Sequence, residues 1–218
     1  MANYIDYLSD VQQHLHKCPD PTAIKAYNSA VIDICKETRL WKEVLPEIDL
    51  FEGVNQYFLS LSRNRLGVKI RGVTSVLHRG DDIHPTENET VLRRIGGDFG
   101  YSRPTHFAQL KATELFLTPT PDSTSAEDGL VVTVYLAPSI GAQSVDDDIF
   151  EKVHDTAIHG SLQRLLTMPR MPWTNRSASE FHSDQYRWKK AALRVESELT
   201  EATVDLVADV SAGADLWA

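Results

Sequence analysis

The stretches 130-LVVTVYL-136 and 150-FEKVHDTAIHGSLQRLLTM-168 lie on either side of the change in pattern that decides the fold. The first stretch is rich in β-branched and aromatic residues, which favour a strand. The second has apolar or small residues three and four positions apart, which places them on one face of a helix. These residues are Phe150, Val153, Ala157, Ser161, Leu162, Leu165 and Met168. The chain therefore changes from strands to helices between the two stretches.

Helical spacing also marks the first forty residues. A first helix is predicted from about Asn3 to His16, and a second helix is predicted to end near Arg39. The apolar positions are Ile5, Leu8, Val11 and Leu15 in the first helix and Ile24, Tyr27, Val31, Ile34 and Thr38 in the second. Asp20 is predicted to cap the second helix, and Pro21 suits its first position.

Strand-like alternation occupies the middle of the chain, from about Trp41 to Ala137. The alternating residues are Tyr57, Leu59 and Leu61, then Val68 and Ile70, then Thr113, Leu115 and Leu117. Period-two runs of this kind predict strands. The stretch 119–129 is rich in Pro, Ser, Thr and Asp, and it predicts the connection of a hairpin.

The last predicted helix follows a break at Pro169 and Pro172. The stretch Ser177–Ala–Ser–Glu180 matches a capping box, which would begin this helix. Its apolar stripe consists of Phe181, Trp188, Ala192, Val195 and Leu199. In the preceding helix, Gly160 costs about 1 kcal/mol relative to Ala. We therefore expect Gly160 to permit close packing against another helix.

The predicted fold class is α+β, with helices at both ends of the chain and strands between them. Because termini often lie close together and insertions enter at loops, the strands are expected to form an insertion. The prediction is a discontinuous helical bundle domain with long C-terminal helices and a β-rich insertion that resembles a sandwich or a barrel. Residues 1–42 and 147–203 form the helical domain, residues 43–146 the insertion, and residues 204–218 a C-terminal extension.

Composition excludes several classes of protein. The 218 residues include 22 Lys and Arg against 31 Asp and Glu, so the formal net charge is −9. This balance argues against a protein that holds nucleic-acid phosphates on a basic face. The chain has no run of eighteen apolar residues, so no membrane span is expected, and no secretory signal is visible. Cys18 and Cys35 are therefore expected to be reduced.

Two groups of residues could bind a metal, and neither forms a complete site. The first group has ligand types that zinc prefers, and it consists of His14, His16, Cys18 and Cys35. His14 and His16 face different sides of a helix, and no C-x-x-C or H-x-x-x-H spacing is present. Residues 151–154 match the Glu-x-x-His pair of di-iron bundles, which need two copies where this chain has one. We therefore predict a solvated helix face there and expect neither a metal nor a cofactor.

The stretch from His78 to His106 contains the residues from which an enzyme site could be built. Long loops in compact domains are usually functional or mobile. The acid–base groups available are His84, His106, Asp81 and Asp82. The chain has neither a G-x-S-x-G nucleophile elbow nor a phosphate-binding loop. An enzyme with its site in residues 80–104 is therefore the less favoured alternative, and no catalytic residue is assigned.

The four tryptophans have different expected roles. Trp41 and Trp173 lie at junctions between elements, where core packing is the expectation. Trp188 belongs to the apolar stripe of the last helix. Trp217 follows Leu216 near the end of the chain, where the pair is either a loose end or an anchor for a partner's groove.

A family resemblance rests on two stretches taken together. The first is Cys18–Pro–Asp–Pro–Thr–Ala–Ile24, which leads to 30-AVIDICKETRLW-41. The second is 160-GSLQRLLTMPRMPWTN-175, which is followed by Ala178, Phe181 and a charged helix. These stretches resemble the head-to-tail adaptor (connector) proteins of tailed bacteriophages. The order of helices, β insertion, two long helices and C-terminal extension is similar as well.

The resemblance implies a structural virion protein with no catalytic residue. Its subunits would form a ring, expected to be a dodecamer, beneath the portal protein of the capsid. The ring would join the head to a tail tube or nozzle protein, and genomic DNA would pass through its lumen without specific binding. The protein would be made in the host cytoplasm and would be located at the head–tail junction of the virion. A tail-completion or terminator protein with a similar ring is the alternative within phages.

The resemblance also implies a docking role for the C-terminal extension, because this segment often docks on the portal in such assemblies. The implied docking residues are Val204, Leu206, Val207, Leu216 and Trp217. A ring of acidic subunits would be strongly acidic, and any acidic part that faces the lumen would repel the passing DNA. The last helix mixes Lys and Arg with Glu, so the sign of the charge that faces the channel stays open.

Overall fold

The computed structural model describes residues 1–15, 17–61, 67–86, 102–122 and 125–214, apart from the side chains of residues 7, 125–128 and 200–214. It confirms a mixed fold of helices and strands. The chain divides into two compact units. The helical unit consists of Met1–Leu40 and Pro138–Ala218, and the β unit consists of Trp41–Ala137.

The helical unit begins with strand β1 (Ala2–Asn3), a 3₁₀ turn (Tyr4–Tyr7) and helix α1 (Leu8–Gln12). The predicted helix over residues 3–16 is therefore found as an α-helix only over Leu8–Gln12. Strand β1 pairs antiparallel with strand β11 (Ser144–Val145), and this pairing keeps Asn3 extended at the start of the predicted helix. The longer helices of the unit are α2 (Asp20–Thr38), α3 (Asp147–Leu166) and α4 (Arg176–Ala214).

Helix α2 has more than half of its residues buried. Its N-cap is Pro19 rather than Asp20, so the predicted cap is wrong. The Asp20 carboxylate instead accepts a hydrogen bond from the Gln12 side chain, with Nε2 and Oδ1 2.6 Å apart. At the other end Arg39 adopts the left-handed conformation, with φ of 52°, and its N–H donates to the Cys35 carbonyl. The predicted end near Arg39 is confirmed.

Helix α3 packs closely against two other helices at Gly160. A Cβ atom on Gly160 would lie 2.6 Å from Cε2 of Tyr186 on α4 and 3.0 Å from Cβ of Ala30 on α2. Real Cβ atoms essentially never come within 3.0 Å of another heavy atom in this way. The close packing predicted for Gly160 is confirmed.

Helix α4 is 39 residues long and begins at Arg176. Its first N–H groups are capped by Asn175, whose Oδ1 accepts from the Ala178 N–H at 3.2 Å. The predicted capping box at 177–180 is wrong, because those residues already lie inside the helix. The helix also continues without a break through residue 204, where the sequence pattern places the start of the extension.

The apolar stripe of α4 is exposed rather than packed in the helical unit. Over residues 176–199, where burial is described, the buried residues are instead Ser179, His182 and Tyr186. Trp188 is 77% exposed, in contrast to Trp41 and Trp173, which are buried as predicted. The helix therefore has two distinct faces, and the more apolar one points away from its own unit.

The β unit contains nine strands within the described ranges. They are β2 (Lys42–Val44), β3 (Ile48–Leu50), β4 (Gln56–Phe58), β5 (Val68–His78), β6 (Asp81–Asp82), β7 (His84–Pro85), β8 (His106–Lys111), β9 (Glu114–Thr118) and β10 (Ser125–Pro138). The predicted hairpin around 119–129 is wrong, because β9 pairs with β4 and β8 whereas β10 belongs to the other sheet, and β10 already begins at Ser125.

These strands form two sheets. One has the order β2–β10–β5–β6, with β3 also paired to β10, and the other has the order β4–β9–β8–β7. Strand β10 pairs antiparallel with β2 and β3, and β7 pairs parallel with β8. The core of the unit is made of inward-facing aliphatic residues, of which Leu50, Val76, Leu115, Leu130, Val132, Val134 and Leu136 are almost fully buried.

Candidate assembly surface

The exposed apolar stripe of α4 is the strongest candidate for a functional surface. It consists of Phe181, Trp188, Val195 and Leu199, which are 58%, 77%, 54% and 61% exposed. Their spacing of seven and four residues places them on one side of the helix. We call these four residues the outer seam.

The opposite side of α4 is attached to its unit by polar contacts. The Tyr186 hydroxyl donates to Asp33 on α2, with Oη and Oδ2 2.8 Å apart. Arg164 on α3 binds the same carboxylate at 3.1 Å, and Lys190 binds Glu37 on α2 at 2.7 Å. Burial, followed by the neighbouring Asp33 carboxylate, raises the pKa of the Tyr186 hydroxyl. This network fixes which face of α4 turns inward, and the outer seam faces outward as a consequence.

Two basic side chains beside the outer seam are paired within the chain. Lys189 pairs with Asp155 on α3, and Arg194 pairs with Glu198 one turn further along α4. Exposed pairs of this kind contribute little to stability. These two ion pairs neutralise charges beside the seam, which lowers the desolvation free energy of covering the seam with another protein.

An exposed row of large apolar side chains is uncommon on a monomeric protein and marks an interaction surface. Tryptophan is among the residues that contribute most to protein–protein binding. The outer seam presents Trp188 together with Phe181 on a rigid helix. Its chemistry is therefore that of a docking surface for an apolar face of another protein.

Three of the five predicted portal-docking residues lie towards the far end of the same helix. Val204, Leu206 and Val207 belong to α4, and their side chains are outside the description. Leu216 and Trp217 lie outside the described residues altogether. The docking role of all five residues stays a prediction.

Residue His154 lies in a hydrogen-bonded chain instead of on a solvated face. The Tyr27 hydroxyl lies 2.8 Å from Nδ1 of His154, and Nε2 of His154 lies 3.2 Å from Oδ2 of Asp10. Tyr27, at one end of this series of hydrogen bonds, is buried. The prediction of a solvated helix face is wrong for His154. These hydrogen bonds instead connect α1, α2 and α3.

Three histidines meet between α3, α4 and the turn that follows α1. The Nδ1 atoms of His159 on α3 and His182 on α4 are 2.9 Å apart. The ring of His14 lies edge-on to that of His182, with 5.8 Å between centroids. His14 is more than 140 residues away in the sequence, so no local spacing could reveal the cluster. Beside it lies an open pocket of about 280 Å³, whose walls include Trp173, Thr174 and Asn175.

The structure describes the candidate zinc ligands only in part. Cys18 and Cys35 are buried thiols that no disulfide joins, and His16 lies outside the described residues. Within the described ranges, no group of three or more His, Cys, Asp or Glu side chains is arranged to hold a metal ion.

The candidate enzyme residues lie on short strands of the β unit. His84 and His106 are register partners in β7 and β8, and their ring centroids are 6.2 Å apart. Asp81 pairs with Arg103 at 2.5 Å, and Asp82 lies beside it in β6. All four residues are exposed, and residues 87–101 of the stretch lie outside the description. The structure therefore brings the two histidines together. Among the described residues, no carboxylate pairs with either ring.

Comparison of the chain with models of known protein families gives no match, and comparison with curated proteins gives no match either. The resemblance to phage adaptors therefore receives no support from these comparisons. Within the described part of the chain, no helix has a stretch apolar enough to span a lipid bilayer.

Proposed function

We propose that this chain is a structural adaptor of a tailed bacteriophage, which assembles into a ring between the capsid portal and the tail. In this proposal the protein acts through assembly and has no catalytic role. The ring is expected to be a dodecamer that contacts a tail tube or nozzle protein and lets genomic DNA pass through its lumen. The location follows from the role and is the head–tail junction of the virion.

The observation that carries the proposal is the exposure of the outer seam. Four large apolar side chains on a rigid helix face away from the core of their own unit. Each would gain roughly 1.5–3 kcal/mol on full burial. Aligned exposed apolar side chains mark interaction surfaces, and a subunit of a ring needs a surface that another subunit or the portal covers.

The arrangement of the chain also supports the proposal. The helical unit is made from two segments of the chain, and the β unit occupies the sequence between them. This division of the chain supports the proposal, because the family resemblance implies a helical domain that a β-rich insertion interrupts. Helix α4 continues beyond the outer seam to Ala214 and carries the predicted docking residues Val204, Leu206 and Val207.

The direct test is assembly of the full-length chain with portal rings encoded by the same genome. We expect particle imaging to show added ring density on one end of the portal. A Trp188→Glu variant should weaken this assembly at least about thirtyfold, because a buried tryptophan at an interface typically contributes about 2 kcal/mol or more. Failure of the unmodified chain to bind its own portal would overturn the proposal.

A matched control keeps the test specific to the outer seam. Arg187→Gln changes the net charge by the same amount as Trp188→Glu, on an exposed neighbouring position of α4. It should assemble as the unmodified chain does. The alternative of a tail-completion or terminator protein predicts a different partner, namely binding to tail tubes with no binding to portal rings.

A further inference from the structure

The histidine cluster of the helical unit has a geometry that depends on protonation. His159 and His182 face each other through their Nδ1 atoms at 2.9 Å. A hydrogen bond at this distance needs one nitrogen that carries a proton and one that accepts it. Two neutral rings meet this requirement, whereas two protonated rings would direct two N–H groups and two positive charges at each other.

The place of this pair gives it a mechanical role. His159 lies near the middle of α3, and His182 is the buried residue in the second turn of α4. The ring of Phe181 lies against both of them, with centroids 6.5 Å from His159 and 5.3 Å from His182. Because Phe181 belongs to the outer seam, the position of the seam depends on this contact.

We propose that His159 and His182 form an acid-sensitive clasp, which joins α3 to α4 when both rings are neutral and loosens when both are protonated. The clasp is a property of the helical unit by itself and does not depend on the adaptor role. Acidification would release the first turns of α4 from α3 and thereby shift the outer seam.

The charged groups around the clasp favour the neutral rings. Asp155 on α3 lies 4.0 Å from Nε2 of His159, but its carboxylate is paired with Lys189 of α4. His14, from the turn after α1, is the third ring of the cluster and would add a further positive charge when protonated. The Asp155 carboxylate therefore opposes the neutral form of His159, but burial and the Lys189 ammonium together keep the pKa of His159 lowered.

The direction of the pH effect follows from burial. Burial is the main cause that lowers the pKa of both His159 and His182 below the ordinary value of 6.5, and the neighbouring Lys189, His14 and His159 side chains add to it. The unfolded chain therefore takes up protons at a higher pH than the folded chain. Stability from the clasp is present above pH 6.5 and is lost as the pH falls from 6.5 towards the lowered pKa values.

The test is amide hydrogen exchange of the full-length chain between pH 7.5 and pH 5.5, corrected for intrinsic exchange rates. Exchange in residues 176–190 should accelerate relative to helix α2 as the pH falls. The expected change is about tenfold for each unit by which folding lowers a pKa. Equal relative exchange at both pH values would overturn the proposal.

Two variants separate the clasp from general effects of acid. The double variant His159→Gln and His182→Gln should lose the pH dependence, whereas His106→Gln in the β unit should retain it. If the double variant does not fold, an NMR titration of the unmodified chain decides. Titration of both rings at the ordinary value would contradict the clasp.

Removal of divalent metals with EDTA should change nothing, and loss of the α3–α4 contact on EDTA addition would also overturn the proposal.

Discussion

At the scale of single residues, Gly160 sets the distance between three helices. Its missing side chain lets Tyr186 of α4 and Ala30 of α2 approach the α3 backbone. The sequence predicts that Gly160 permits close packing, because glycine inside a helix has a cost that needs a reason. It does not indicate which helices come close, since the two partners are 26 and 130 residues away.

Replacing Gly160 by Ala should destabilise the protein. The new Cβ would lie 2.6 Å from the Tyr186 ring and 3.0 Å from Ala30. Overpacking of this kind costs about 1–3 kcal/mol, which exceeds the gain in helix propensity of roughly 1 kcal/mol. The free energy of unfolding measured in urea checks this expectation.

Gly141→Ala is the matched control for this substitution. A Cβ on Gly141 would meet no atom within 4 Å, and its backbone is not in the left-handed region. The control should change the free energy of unfolding by no more than about 0.5 kcal/mol. A Gly160→Ala variant as stable as this control would show that the helices can move apart freely.

The histidines show where reasoning from single residues ends. His159 and His182 are on neighbouring helices, and His14 comes from the other end of the sequence. Spacing arguments detect ligands and acid–base pairs only within one element. Clusters that tertiary packing assembles therefore need the structure.

At the scale of elements, α4 is the helix in which the buried face differs most from the apolar face that the sequence pattern marks. The sequence pattern places Phe181, Trp188 and Val195 on one face of this helix, and they do share a face. Periodicity shows which residues lie together, but it does not show what they pack against. Here the polar contacts of Tyr186 and Lys190 with α2 select the less apolar face for burial.

The start of α4 gives a prediction in which sequence and structure disagree. The structure assigns the cap to Asn175, whereas the sequence motif assigns it to Ser177. Asn175→Ala should therefore cost about 0.5–2 kcal/mol of stability, the usual range for a lost N-cap. The measurement is thermal or urea unfolding followed by circular dichroism.

Ser177→Ala is the control for the cap. Because Ser177 lies inside the first turn of α4, its replacement should change stability by less than about 0.5 kcal/mol. The reverse order of effects, with Ser177→Ala the more damaging, would restore the capping box and contradict the observed hydrogen bond.

Strands and helices differ in how well the sequence predicts them. The helix ending near Arg39 and the runs at 68–70 and 113–117 coincide with observed elements. Polar and turn-forming residues around Ser125 predict a loop where β10 begins. Pairing with β3 overrides this local propensity. Elements whose ends depend on long-range partners are the ones that the pattern misplaces.

At the scale of the whole molecule, the sequence predicts the mixed class and the place where its pattern changes. Composition and the period of the apolar pattern are properties of long stretches of sequence. The fold class that they predict therefore stays correct when the boundaries of single elements are wrong. The site is less predictable than the fold. The outer seam became visible only when burial was known, because an exposed apolar stripe and a buried one have the same spacing.

Deletion of residues 204–218 tests the docking prediction at this scale. The variant should keep the unfolding midpoint of the full chain, because α4 is already largely exposed over residues 191–199. Its binding to portal rings should become weaker, as measured by co-sedimentation. A chain in which the same fifteen residues are scrambled serves as the control for length and should also bind more weakly.

Unchanged binding of the deleted chain would show that Val204, Leu206 and Val207 do not dock. The outer seam would then be the remaining candidate for the contact with the portal. The two results are distinguishable because the Trp188→Glu variant keeps the last fifteen residues intact.

The length of α4 has a consequence for motion. A helix of 39 residues is about 58 Å long. Helix α4 is held to its unit as far as Lys190, which binds Glu37 of α2, so the pivot for a tilt of its remaining part lies near that residue. At about 1.5 Å per residue the part from 191 to 214 is about 36 Å long, and a tilt of about 10° would carry its far end through about 6 Å. Small changes in packing beside the pivot would therefore move the C-terminal end of α4 by several ångströms.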